Sequence, residues 1–322
     1  MKSLLNLLTV AGLIVTASVS LNEHVFGMQA EVPFEMEKGV IFINVTTPAS
    51  ERPLRFIFDT GAVLTTFEET TAVRLGLRTW GESGVSGLGH APGRHVRGVA
   101  ASCGGFALPK TAMSTNLINF SLSNHKWVDG LLGADFLQDK TVEIDFRTHR
   151  LHIETRTDIS AGERLVGGIP FTARTNVIWV TVNSPDSKRP LTFLLDTGAS
   201  ASVLSLKTAK ELGLALEKGR DVCVVGGMTP TWVAMNFKGD VKGRQFNSKM
   251  VAMDLDYTAW SFSHRMDGIV GLDFLTSKSV AMDFGVRQVA INGPIIAAHT
   301  MDKLDAGMIC AVARPALLCH GF

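Results

Sequence analysis

The chain has 322 residues, 46% hydrophobic and 19% charged, a balance that supports a packed core and excludes wholesale disorder. Lys and Arg number 31 against 30 Asp and Glu, a formal net charge of +1, which argues against a nucleic-acid partner or a polybasic membrane surface. The length suggests two domains or three, and four cysteines without a Cys-x-x-Cys pair exclude a disulfide-dense scaffold and argue against a zinc knuckle or thioredoxin-like site.

In chain order, residues 1–20 come first and differ from the rest. Lys2 is their only charge, a largely apolar run follows over 4–19, and Ala17, Ser18 and Ser20 supply small residues for cleavage. This is the layout of a secretory signal peptide, with cleavage expected after Ser20 or, alternatively, after Ala30. The apolar run falls short of the roughly 20 residues of a spanning helix; an uncleaved amino-terminal anchor is the alternative. The expected location is therefore the periplasm or the exterior, with membrane contact only if the segment is retained. Export permits disulfides. Cys310 and Cys319 are close enough in sequence to pair, whereas Cys103 and Cys223 are far apart; free buried thiols are the alternative for all four.

The remaining elements occur twice. Residues 33–62 and 170–199 align without a gap, with 15 identities in 30 positions. Leu75-Gly76-Leu77 answers to Leu212-Gly213-Leu214, the nonapeptide 129–137 to 267–275, and 141–153 to 279–291. The chain thus divides into a first module at 33–153, a linker at 154–169, a second module at 170–291 and a tail at 292–322, in which 294–298 could add a strand. Within each module the patterning is mainly β. Strands are expected at 40–45, 54–58 and 141–146, and again at 177–182, 191–195 and 279–284. Helices are expected at 68–75 and 206–212, ending at Gly76 and Gly213. Short helical turns should open at Asp135 and Asp273.

The chemistry centres on Asp59-Thr60-Gly61-Ala62 and Asp196-Thr197-Gly198-Ala199. Each aspartate ends an apolar strand, where a carboxylate is costly unless hydrogen-bonded. Threonine brings a hydroxyl for the neighbouring loop, and glycine allows a tight turn with its N–H near the carboxylate. Each motif is followed some 74 residues later by an apolar-apolar-Gly motif, Leu131-Leu132-Gly133 and Ile269-Val270-Gly271.

This pattern resembles the aspartic peptidases, and specifically their retropepsin-like modules, over nearly all of the chain after residue 32. The resemblance implies an all-β fold of two tandem, closed, mostly antiparallel modules related by pseudo-twofold symmetry. It implies catalytic Asp59 and Asp196 facing each other across the module interface, with Thr60 and Thr197 cross-bracing the loops and Gly61 and Gly198 positioning them. The implied activity is that of an endopeptidase acting on extended peptide or protein substrates through an activated water, in a monomer with an intramolecular site and without cofactor or metal. A catalytically silent peptide-binding module of the same fold is the alternative, and a site assembled between chains is a third reading.

The family also carries flaps, expected here at 81–95 and 222–232. The pepsin flap has a tyrosine, and the single tyrosine of this chain, Tyr257, lies outside both segments, so Trp232 is a candidate for that role. His90 and His95 are expected as solvated loop residues. Three further aspartate pairs recur, Asp129/Asp267, Asp135/Asp273 and Asp145/Asp283; without the Thr-Gly context they are expected to be structural. Ala62 and Ala199 follow the two glycines, where a serine would offer a hydroxyl to the dyad; a less acidic pH optimum is expected. The sequence contains no His-Glu-x-x-His, no Gly-x-x-x-x-Gly-Lys-Ser/Thr and no Gly-x-Ser-x-Gly motif.

Overall fold

The computed structural model describes residues 28–86, 90–155, 165, 168–174, 176–276 and 279–291. The expected signal segment 1–20, the alternative strand at 294–298, the tail with Cys310 and Cys319, and most of the linker 154–169 lie outside the described residues. Among the described residues no helix is long and apolar enough to cross a membrane.

Strands dominate, and their burial follows their sequence. In Lys140–Asp145 buried and half-buried residues alternate, as expected of a strand with one face on the core. Val177–Val182 is buried at all but one position, matching its continuous β-branched and aromatic run. Phe56, Phe58, Phe67, Phe136 and Phe193 are among the largest fully buried side chains. Burial of each such side chain contributes roughly 1.5–3 kcal/mol.

Each half repeats one local topology. In the first, Gly130–Leu132 lies between Ser50–Phe58 and Thr66–Glu68, parallel to the former and antiparallel to the latter. In the second, Gly268–Val270 lies likewise between Leu191–Leu195 and Val203–Ser205. Thr66–Glu68 then runs parallel to Thr111–Thr115, and Val203–Ser205 parallel to Met250–Met253. Pairing among the described strands is otherwise antiparallel, so the parallel contacts gather beside the two Asp-Thr-Gly loops.

The helices expected at 68–75 and 206–212 are Glu69–Arg74 and Leu206–Glu211. Each is followed by a leucine cap and a left-handed glycine, Gly76 or Gly213, the usual stop for a helix. The turns opening near Asp135 and Asp273 are Ala134–Leu137 and Leu272–Leu275. Two further helices, Ile118–Asn124 and Asp256–Ser261, were not expected.

A third sheet region joins the halves. Its strands run in the order Ile169–Pro170, Gln288–Ile291, Ser279–Asp283, Lys140–Asp145, Arg150–Thr155, Gln29–Glu37, all antiparallel. At its centre Thr141 pairs with Asp283, Glu143 with Ala281 and Asp145 with Ser279. Glu143 and Ala281 are equivalent positions of the repeat, so the pseudo-twofold axis passes between them. Gln29–Glu37 pairs first with Arg150–Thr155 and then with Val40–Thr47, carrying the interface sheet into the first half.

Candidate active site

The two Asp-Thr-Gly loops meet where the halves meet. Asp59 N–H donates to Leu132 O at 3.0 Å and Asp196 N–H to Val270 O at 3.0 Å, so each aspartate is fixed by the apolar-apolar-Gly strand beside it. Across the interface the threonines are interlocked. Thr60 Oγ1 donates to Leu195 O at 3.0 Å and accepts from Thr197 N–H at 3.0 Å. Thr197 Oγ1 donates to Phe58 O at 2.7 Å and accepts from Thr60 N–H at 3.1 Å. Both threonines are fully buried. Four bonds therefore tie the loops into one unit.

The glycines allow the carboxylates to come together. A Cβ on Gly61 would sit 2.4 Å from Cγ of Asp196, and one on Gly198 would sit 2.5 Å from Cγ of Asp59. Any larger residue would displace the opposite carboxylate. Asp59 Oδ1 accepts from Gly61 N–H and Ala62 N–H, both at 2.9 Å. Asp196 Oδ1 accepts from Gly198 N–H at 2.7 Å.

The two carboxyl groups are brought together across the interface, each packed against the glycine of the opposite loop. Burial raises the Asp59 pKa, and the loop N–H groups and Asp196 act against that rise. Burial and then the charge of Asp59 raise the Asp196 pKa well above the ordinary carboxylate range. Adjacent carboxyls in a low-dielectric site do not both ionise readily, and titration belongs to the pair. The arrangement can hold one proton shared between Asp59 and Asp196.

The remaining aspartate pairs do not line the cleft and have partners of their own. Asp129, fully buried, accepts from Arg52, Arg74, Thr71, Trp127 and the Arg55 N–H. Asp267, its counterpart, accepts from Arg189, Arg265, Thr208 and the Thr192 N–H. Burial alone would raise the Asp267 pKa, but these bonds hold it down to about 2. Asp135 Oδ1 accepts from the N–H and hydroxyl of Thr65, and Asp273 Oδ1 from those of Ser202; Ser202 and Thr65 hydroxyls in turn receive Gly271 and Gly133 N–H. Asp145 and Asp283 cap turns through Arg147, Thr148 and Val286 N–H groups.

The dyad lies in a cleft of about 430 Å³, within the size range of ligand pockets. The first flap is the hairpin Arg78–Ser86 and His90–Arg97; its tip at 87–89 lies outside the described residues. The second is the shorter hairpin Val222–Val224 and Gly227–Thr229. Both line the cleft, through Ser83, Gly84, Val85 and His95 on one side and Val222, Cys223, Val224 and Val225 on the other.

Three expectations need correction. His95 is not a solvated loop residue: it is half-buried in the cleft wall, stacked at 5.2 Å on Trp80, over which the Arg97 guanidinium sits at 4.0 Å. His90 is exposed but engaged, its Nδ1 lying 2.9 Å from Tyr257 Oη. Trp232 does not line the cleft; Lys218 lies over its ring at 4.5 Å and it packs on the core. The partner of the first flap is Tyr257, on Asp256–Ser261 of the other half, which sequence reasoning missed because the contact joins residues 167 positions apart. Cys103 and Cys223 are free; burial pushes the Cys103 thiol up to about 12. Among the described residues no three His, Cys, Asp or Glu side chains gather as a metal site.

The aspartyl protease family model matches residues 45–136 and 178–274, spanning both Asp-Thr-Gly loops and both apolar-apolar-Gly strands. No curated protein matches the chain. The two matched regions correspond to the two halves related by the axis through the Glu143–Ala281 pair, and together they cover more than half of the sequence. The chain belongs to the aspartyl protease family, with the retropepsin-like module present twice in one polypeptide.

Proposed function

We propose that the protein is an aspartic endopeptidase that hydrolyses peptide bonds with a water activated by Asp59 and Asp196. The observation that carries this reading is the pair of carboxyl groups, one from each half, packed against each other's Asp-Thr-Gly loop and lining one cleft. Asp59, more strongly hydrogen-bonded to its own loop, takes a proton from the water, which attacks the scissile carbonyl. Asp196 donates its proton to the carbonyl oxygen as the tetrahedral intermediate forms. A dyad proton then passes to the departing amine, completing general acid–base catalysis without a covalent enzyme intermediate. Gly61 and Gly198 allow the approach, and Thr60 and Thr197 hold it through the chemical step.

Both carboxyls come from one chain, which favours a monomer with an intramolecular site. The substrate is an extended peptide or unfolded protein segment laid between the flaps, and residues 1–20 mark the protein for export. The test is cleavage of a peptide library in ¹⁸O-labelled water. The reading predicts one labelled oxygen in each new carboxyl terminus and no trapped acyl-enzyme. Peptide binding by the folded protein without any cleavage would contradict it and favour a silent binding module.

A further inference from the structure

The pockets flanking the dyad are built from equivalent positions at which the two halves have diverged. Helices Ile118–Asn124 and Asp256–Ser261 begin at equivalent places in the repeat and both line the cleft. The first contributes Phe120 and Asn124; the second contributes Thr258, Ser261, whose hydroxyl turns back onto Thr258 O, and, one residue past its end, Phe262. Phe120 corresponds to Thr258, and Asn124 to Phe262, so ring and polar group have exchanged places between the halves. The floor beneath them remains apolar on both sides, with Leu131 and Met113 in one and Leu194 and Val251 in the other.

Asn124 is fully buried. Its Nδ2 donates to Phe120 O at 2.8 Å, which fixes which end of the amide is the oxygen. That oxygen, Oδ1, is buried and accepts no hydrogen bond among the described residues. Buried acceptors are rarely left unpaired, and one in a ligand cleft calls for a donor. The second flap covers this place: Val222–Val224 packs on Ile118–Asn124. Asn124 and Val222, Cys223 and Val224 of that flap line the same cleft. No carboxylate other than the dyad lines the cleft, so a cationic side chain would lack a counter-charge of its own there.

We infer that Asn124 determines specificity: its Oδ1 accepts a hydrogen bond from a neutral polar side chain (Ser, Thr, Asn or Gln) on one side of the scissile bond. The pocket of the other half, walled by Phe262, Leu194, Val203 and Val251 with Thr258 and an internally bonded Ser261 hydroxyl, takes a bulky apolar side chain on the other side. The inference rests on the proposed peptidase activity and adds a direction to the substrate.

The experiment is cleavage-site profiling of a peptide library by the purified protein and by Asn124→Leu. The wild type is expected to prefer a donor-bearing residue at one flanking position and an apolar one at the other. In Asn124→Leu the kcat/KM ratio for donor-bearing over leucine substrates at the first position should fall about ten-fold, with the second position unchanged. An apolar preference at both positions in the wild type, or an unchanged ratio in Asn124→Leu, overturns the inference and leaves the peptidase reading standing. No cleavage by folded wild-type protein overturns both. Should Asn124→Leu fail to fold, Phe262→Asn carries the test: it places an amide at the equivalent point of the other half and should admit donor-bearing residues at the second position. Cleavage by Phe262→Asn with its preference unchanged overturns the inference equally.

Discussion

Burial and the neighbouring Asp59 act on Asp196 in the same direction, raising its pKa. Its pKa is higher in the folded chain than in the unfolded one. Its contribution to stability is therefore present below the ordinary carboxylate value and lost as pH rises through the raised folded value. Asp196→Asn should abolish cleavage yet raise the melting temperature at pH 7, and by more than at pH 4; scanning calorimetry at the two values checks this. Asp267 has the opposite sign. Its stabilisation is full above the ordinary value and is lost as pH falls toward its folded value of about 2. Removing it takes the shared buried acceptor from Arg189, Arg265, Thr208 and the Thr192 N–H, leaving the two arginines only Glu211 as a carboxylate partner, so Asp267→Ala should cost about 3 kcal/mol in denaturant unfolding. Ala62 and Ala199 offer no hydroxyl to the dyad; Ala199→Ser should therefore move the pH optimum for cleavage to a more acidic value, and an unchanged or higher optimum would count against this account of the pair.

Among the elements, those constrained by the same packing in both halves were the ones readable from sequence. The apolar strands ending in Asp-Thr-Gly, the Leu-Leu-Gly and Ile-Val-Gly strands and the glycine-stopped helices each answer a local demand that few residues meet, and each appears twice. Helices Ile118–Asn124 and Asp256–Ser261 lacked such a mark. They are one to two turns long, carry no side-chain cap, and share almost no residues between halves, since they shape pockets that differ. The flaps were legible as glycine-rich segments, but their contacts were not. Gly226, at a φ of +87°, passes so close to the His90 carbonyl that a Cβ would overlap it, so the flaps touch through backbone with no side-chain signature. The His90–Tyr257 bond ties the same strand of the first flap to the other half. Tyr257→Phe keeps the ring and removes the hydroxyl; it should raise KM about five-fold, the equivalent of roughly 1 kcal/mol for a neutral hydrogen bond, with little change in kcat.

For the molecule as a whole, duplication explains both the symmetry and its limits. The repeat alignment located two modules and an axis relating them, but not the sheet that joins them. That sheet needs Lys140–Asp145 to pair with Ser279–Asp283 and Gln29–Glu37 to cross beside Arg150–Thr155, pairings between distant segments that no local pattern specifies. Its consequence is a site completed within one chain: the loops are locked by Thr60 and Thr197, and both carboxyls are already opposed. Specific activity should thus be independent of protein concentration across a dilution series; a fall on dilution would point to sites shared between chains. The most direct measurement is peptide cleavage from pH 3 to 8 by the wild type, Asp59→Ala and Asp196→Ala, with folding of each verified by circular dichroism. One shared catalytic site predicts a bell-shaped profile for the wild type and loss of cleavage in each single variant. Substantial cleavage surviving in either variant would contradict it.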